Sequence, residues 1–322
     1  MDSDLGRTGT PNPGPSLFSV WPHRLAVLLV CATFPLLFIG GLVTSKGAGL
    51  AVPDWPTTFG HNMFLYPWSK MVGNIFYEHS HRLIASCVGL LTIAFTVTVW
   101  ARESRAWLRW LAVAALVLVV VQGILGGLRV ILLEQTLAIV HAATAQAFFA
   151  LTVGLAVFTS KEWLGSPEPT ESLNDGGRLR RLCLATTALI YIQVIIGAVL
   201  RHTGERVDAH LVFAALVALH TMLILIRLSR NYATAYPLQR PALILFILLL
   251  LQLGLGTLSY LAKFTTALPL PIDATVLVTT THLACGAAML GSAVALTLRC
   301  YRLSRAQTHS AGREILSEQF ST

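Results

Sequence analysis

The chain has 322 residues, 55% of them hydrophobic and only 12% charged, with a mean hydropathy of +0.68. Soluble domains carry about 25% charged residues, so this composition excludes an ordinary water-soluble fold and indicates a polytopic membrane protein. The net charge of +8 is no nucleic-acid footprint, because the basic residues are spread over the termini and the loops between apolar runs.

Residues 1–22 hold Pro11, Pro13 and Pro15 among glycines and serines and read as a disordered leader. Apolar runs then recur at 24–45, 83–101, 107–129, 138–159, 181–201, 209–227, 241–262 and 275–298. Each has about 20 residues, enough to cross about 30 Å of hydrocarbon as a helix. The expected fold is an all-α polytopic membrane protein with eight transmembrane helices, arranged as two four-helix bundles related by an internal repeat. The first run lacks a small-residue cleavage site and is expected to be retained. Of 23 Lys and Arg, 16 lie in or within two residues of the leader, the tail and the loops near 102–109, 161–181 and 227–240. By the positive-inside rule both termini are cytoplasmic. The five cysteines show no paired or CxxC spacing and read as apolar fillers.

Between the first two runs lies the longest external loop, about 45–77, with Pro53-Asp54-Trp55-Pro56, Phe59-Gly60 and Tyr66-Pro67-Trp68. It is either an interfacial aromatic belt or a lid over a ligand. Glu78-His79-Ser80-His81-Arg82 follows, just before the apolar run that starts at Leu83. Ionisable residues bordering a membrane span usually mark a site. Glu78 and His81 are three apart and share a helix face. Glu78 either stabilises a helix start through the dipole or acts on whatever His81 binds. Arg82 and Arg129 either pair with acidic groups of a ligand or snorkel to the interface.

Three later apolar runs also open with a histidine, His141, His210 and His282, and Gln-x-x-x-Gly recurs at 122/126, 193/197 and 252/256. The unit is a two-helix hairpin used four times. It divides the chain into an N-terminal half (23–160), a cytoplasmic linker (161–180), a C-terminal half (181–300) and a basic tail (301–322). The glycines let helices approach closely, and they equally make room for a large flat ligand. Four histidines at equivalent positions and one depth suggest ligands. Two imidazoles facing across a four-helix bundle make a bis-histidine heme site, which pairs His81 with His141 and His210 with His282. No third ligand recurs with them, which disfavours zinc or copper. His79 projects elsewhere, and His23, His61, His202, His220 and His309 read as solvent-facing or packing residues.

Gly41-Leu42-Val43-Thr44, Pro53-Asp54-Trp55-Pro56, Glu78-x-x-His81-Arg82, Gln122-Gly123-x-x-Gly126 and Gly197-Ala198-Val199-Leu200-Arg201-His202-Thr203 together resemble the heme A synthase family, over roughly residues 24–300. The resemblance implies oxidation of a methyl group of heme O to the formyl group of heme A. It implies substrate heme held by His81 and His141, with Arg82 and Arg129 nearby, and a heme b cofactor ligated by His210 and His282. Glu78 would be the catalytic carboxylate. Implied surroundings are a bacterial inner membrane and its lipid, an electron donor of unspecified kind, and heme O synthase and cytochrome oxidase assembly partners. Departures from the family pattern are an external loop without a cysteine pair, Leu211 after His210 where an arginine is expected, and His79 in place of an aromatic. A non-catalytic diheme electron carrier or quinol-linked cytochrome would need the histidines but neither Glu78 nor the long loop. A heme transporter or assembly chaperone would need only the N-terminal pair.

Overall fold

The structure is a computed structural model that describes residues 19–165, 176–231 and 236–319. The expected leader up to residue 18, the middle of the expected linker and the last three residues of the tail lie outside the described residues. The eight apolar runs form eight long helices: α1 Val20–Ser45, α2 Gly73–Arg102, α3 Ala106–Ile131, α4 Gln135–Thr159, then, after the single turn α5 Lys161–Leu164, α6 Gly176–Thr203, α7 Val207–Asn231, α8 Tyr236–Phe264 and α9 Ile272–Gln319. Each contains a stretch long and apolar enough to cross a membrane, and the described residues hold no strand. The protein is an all-α, multi-pass membrane protein.

Large apolar side chains such as Leu90, Val97, Ile247 and Leu250 lie on the outside, where a helix that is apolar all round meets lipid. Hydroxyls within the spans donate one turn back, as from Thr33 to Leu29 O (2.7 Å), Thr92 to Val88 O (2.8 Å) and Thr186 to Leu182 O (2.8 Å). Such local bonds remove the need for water inside hydrocarbon.

Helices α1 to α4 pack in sequence and α4 closes back on α1; α6 to α9 do the same, with α9 closing on α6. Each ring has its own core, Leu29, Phe95, Leu108 and Leu155 in the first and Ile224, Leu245, Leu290 and Leu296 in the second. The rings join where α6 and α9 meet α1 and α4, around Leu37, Phe149 and Ala287. Gly291 permits this approach, since a Cβ there would meet Phe149 at 3.2 Å and Val153 at 3.3 Å.

Three expectations need correction. Helix α2 starts at Gly73, so Glu78 to Arg82 lie inside it rather than at its edge. No acidic residue stands in its first turn, so the dipole account of Glu78 does not hold. The four histidines sit about one to three turns inside their helices. Helix α9 continues to Gln319 and α6 begins at Gly176.

Candidate functional site

Each of the four histidines lies against a glycine of the preceding long helix. A Cβ on Gly40 would stand 3.1 Å from His81 Cε1, one on Gly126 3.2 Å from His141 Cε1, one on Gly197 3.2 Å from His210 Cε1, and one on Gly256 3.0 Å from His282 Cε1. The glycines thus make room for the imidazole edge itself. The recurring glutamine, one turn before the glycine on the same face, brackets the other side of the ring. Gln193 Nε2 donates to His210 O (2.9 Å) and lies 3.4 Å from His210 Nε2, and Gln252 Nε2 lies 3.4 Å from His282 Nε2. With its amide turned to satisfy its neighbours, Gln122 donates to Nδ1 and O of His141, each at 3.1 Å. Sequence reasoning used these glutamines only as repeat markers; their distance of one turn from the glycine was the signal of a second contact.

His210 and His282 face each other with ring centroids 6.3 Å apart and planes at 69°. Two imidazoles sharing one metal at about 2.0–2.1 Å per bond place their ring centres about 6 Å apart, so this pair has a separation at which both could hold one metal ion. The Nδ1 atoms of His81, His210 and His282 are buried without a hydrogen-bond partner, a costly state for a polar atom in an apolar setting. These observations fit a heme between His210 and His282. The chain brings His81, on α2, and His141, on α4, into the first ring, each on its glycine.

Around His81 the surroundings differ. Among the described residues Glu78 is the one carboxylate in the buried class, 4% exposed. Its Oε1 accepts from Arg82 Nη2 at 2.7 Å and its Oε2 from Val52 N at 2.9 Å. Arg82 also donates to the carbonyls of Val52 (2.9 Å), Asp54 (2.7 Å) and Thr57 (3.2 Å). The two side chains therefore fasten the loop between α1 and α2 to α2. His79, buried, lies 3.1 Å from Thr58 Oγ1 and packs on Tyr66, and Arg129 donates to Gly49 O at 3.4 Å. The Trp55 indole fills the space a Cβ on Gly127 would need, one residue from the glycine under His141. The loop thus covers the α1–α2 loop end of the first ring, while Phe64, Leu65 and Trp68 point out of it. It is a cover with an apolar outer edge. Arg82 commits its hydrogen bonds to that cover and to Glu78, whereas Arg129 makes a single long one.

The loop is shaped by Asp54. Desolvation pushes its carboxyl up, but bonds from Gly60 N (2.9 Å), Thr57 Oγ1 (2.5 Å) and Phe59 N (2.8 Å) outweigh this and hold it at about 2. The remaining histidines have other partners: His23 lies 3.3 Å from Thr159 Oγ1, His220 Nδ1 2.9 Å from Leu216 O, and His61 beside Tyr66. His202 accepts through its backbone oxygen from Gln135. Leu211 is exposed. No cluster of three or more His, Cys, Asp or Glu side chains suited to a metal ion occurs among the described residues.

A family model described as "Cytochrome oxidase assembly protein" (COX15-CtaA) matches residues 23–209. That segment contains Glu78, His81, Arg82, Arg129 and His141 and stops just before His210. A protein named heme A synthase from Shouchella clausii (strain KSM-K16) is 27% identical over 184 residues, covering 56% of this chain and 59% of that protein. Those of Geobacillus kaustophilus (strain HTA426) and Exiguobacterium sibiricum (strain DSM 17290) are 26% identical over 182 residues, covering 53% and 54%, and 28% identical over 188 residues, covering 56% and 61%. The chain spans between 54% and 61% of the length of these relatives.

Proposed function

The chain belongs to the COX15-CtaA family of cytochrome oxidase assembly proteins, and from that premise we propose that it is a heme A synthase, oxidising a methyl group of heme O to the formyl group of heme A. The observation that carries the reading is the set of four glycine-backed imidazoles, with His210 and His282 at a separation that would let both hold one metal ion. The name heme A synthase carried by the relatives supports the same reaction. In this reading His210 and His282 hold heme b, and His81 and His141 hold the substrate. Heme b, when bound, supplies a one-electron redox centre near the reacting half.

The chain's own residues then have distinct tasks. The Glu78–Arg82 pair holds the loop over the first ring, and the loop excludes water from the methyl group. Glu78 is also the buried negative charge closest in sequence to His81, suited to stabilising positive charge that develops during oxidation. Arg129, with most of its donors unspent, is the better placed arginine for an acidic substituent of the substrate. The charge asymmetry supports cytoplasmic termini in a bacterial inner membrane. Heme O synthase and cytochrome oxidase assembly factors are the proposed partners.

Pigment extraction tests the activity. Cells that make heme O but lack their own heme A should accumulate heme A when they express this chain, and should not when it carries His81→Ala. Unchanged heme O with well-expressed wild-type protein would make the chain a carrier instead.

A further inference from the structure

The outer end of the second ring carries two cations that the protein leaves without counter-charge. Arg201 stands four residues after Gly197 and Lys263 seven after Gly256, so each shares the helix face that backs a histidine. Both lie toward the same end of their helices, about one and two turns beyond the ring pair. Thr279, whose carbonyl accepts from Arg201 Nη1 at 3.3 Å, is one turn before His282 on α9. The other Arg201 bonds go to Gly41 O (2.7 Å) and Ser45 Oγ (2.5 Å) on α1. All three acceptors are neutral. The Nε–H is buried with no partner, although a guanidinium has five donors to place.

Among the described residues neither Arg201 nor Lys263 has a carboxylate within ion-pair distance. Arg201 is partly buried and Lys263 exposed. Cations at the mouth of an apolar ring call for an anion beside them. Charge-assisted bonds to a carboxylate are the strong way to supply one.

We propose that Arg201 and Lys263 form the carboxylate-binding rim of the second ring, pairing with the acidic side arms of the porphyrin held by His210 and His282. This deepens the reading of that pair as a heme site and rests on it. It also makes Arg201 a link between the rings, because the same guanidinium holds Gly41 and Ser45 next to Gly40, the glycine behind His81.

The test compares protoheme with its dimethyl ester, which keeps the iron and loses both carboxylates. Full-length chain carrying His81→Ala, so that only the second ring reports, is synthesised cell-free into nanodiscs and titrated with each porphyrin. The low-spin signal should favour the diacid by about tenfold. Arg201→Gln and Lys263→Gln should each lose most of that preference while binding the ester as before, and Arg201→Lys should keep part of it. A preference that survives both glutamine variants would overturn the proposal. So would a preference that follows the nanodisc lipid, present in phosphatidylglycerol and absent in phosphatidylcholine, which would assign the cations to lipid phosphate. Should Arg201→Gln fail to fold, Lys263→Gln still decides, since Lys263 has no hydrogen bond within the described structure to lose. No low-spin signal with either porphyrin would instead remove the heme site itself.

Discussion

A methyl group added at Gly256 would stand 3.0 Å from Cε1 of His282, closer than a packed ring tolerates. The imidazole could retreat only toward Gln252 or His210, so Gly256→Ala should cost about 1–3 kcal/mol in overpacking. It should also weaken the low-spin heme signal, where alanine at Gly254, which has open space, should not. Absorbance spectra and thermal melts of the two variants check this. The role proposed for Glu78 in the reaction is separable from its role as a fastener of the loop. Removing one member of a buried ion pair costs about 3–5 kcal/mol, so Glu78→Gln and Arg82→Lys should both loosen the loop, seen as faster proteolysis between residues 46 and 72. If the Glu78 charge also acts on the reaction, Glu78→Gln should lower heme A formation about a hundredfold or more, well beyond Arg82→Lys. Equal losses would leave Glu78 as a fastener alone. The recurring histidines, glycines and glutamines were legible in the sequence because a hairpin used repeatedly writes the same contact at the same spacing. The bond from Val52 N to Glu78 was not, because it joins positions 26 apart through a loop whose path no periodicity records.

At the scale of elements, the loop between α1 and α2 departs furthest from what patterning conveys. Its aromatic content suited a belt or a lid equally. The structure gives it inward anchors at Trp55, Thr58 and the Arg82 acceptors, and outward apolar tips at Leu65 and Trp68. The first turns of α2 were hidden for a related reason: residues 73–82 are too polar to extend an apolar run, yet Glu78, His79 and Arg82 meet the loop rather than water. Asp54 gives this element a pH signature. A carboxyl held at about 2 in the folded loop, against 3.8 ordinarily, adds stability above its ordinary value. That contribution fades as pH falls toward the lower one. Loop protection should therefore be flat from pH 5 to 8 and fall below about pH 4, and Asp54→Asn should remove this step. Trp55 fluorescence across an acid titration reads it directly.

For the whole molecule, two rings of four helices share a joint made by α1, α4, α6 and α9. The eight spans were plain from hydropathy, and the repeat implied two four-helix bundles; which helices join the bundles was not, because that depends on which lipid-like faces meet. Cysteines introduced in the loop at 46–72 should label from outside the cell, and ones near 161–165 only after permeabilisation; the reverse would invert the membrane orientation. The central claim is that the rings hold two porphyrins for two jobs, a resident redox heme in the second and the substrate in the first. The most direct measurement is the heme content and low-spin spectrum of full-length protein purified from cells that make heme b but no heme O. His141→Ala should retain the resident heme, and His282→Ala should lose it. Retention of the full signal by His282→Ala, or its loss in His141→Ala alone, would contradict the division between the rings.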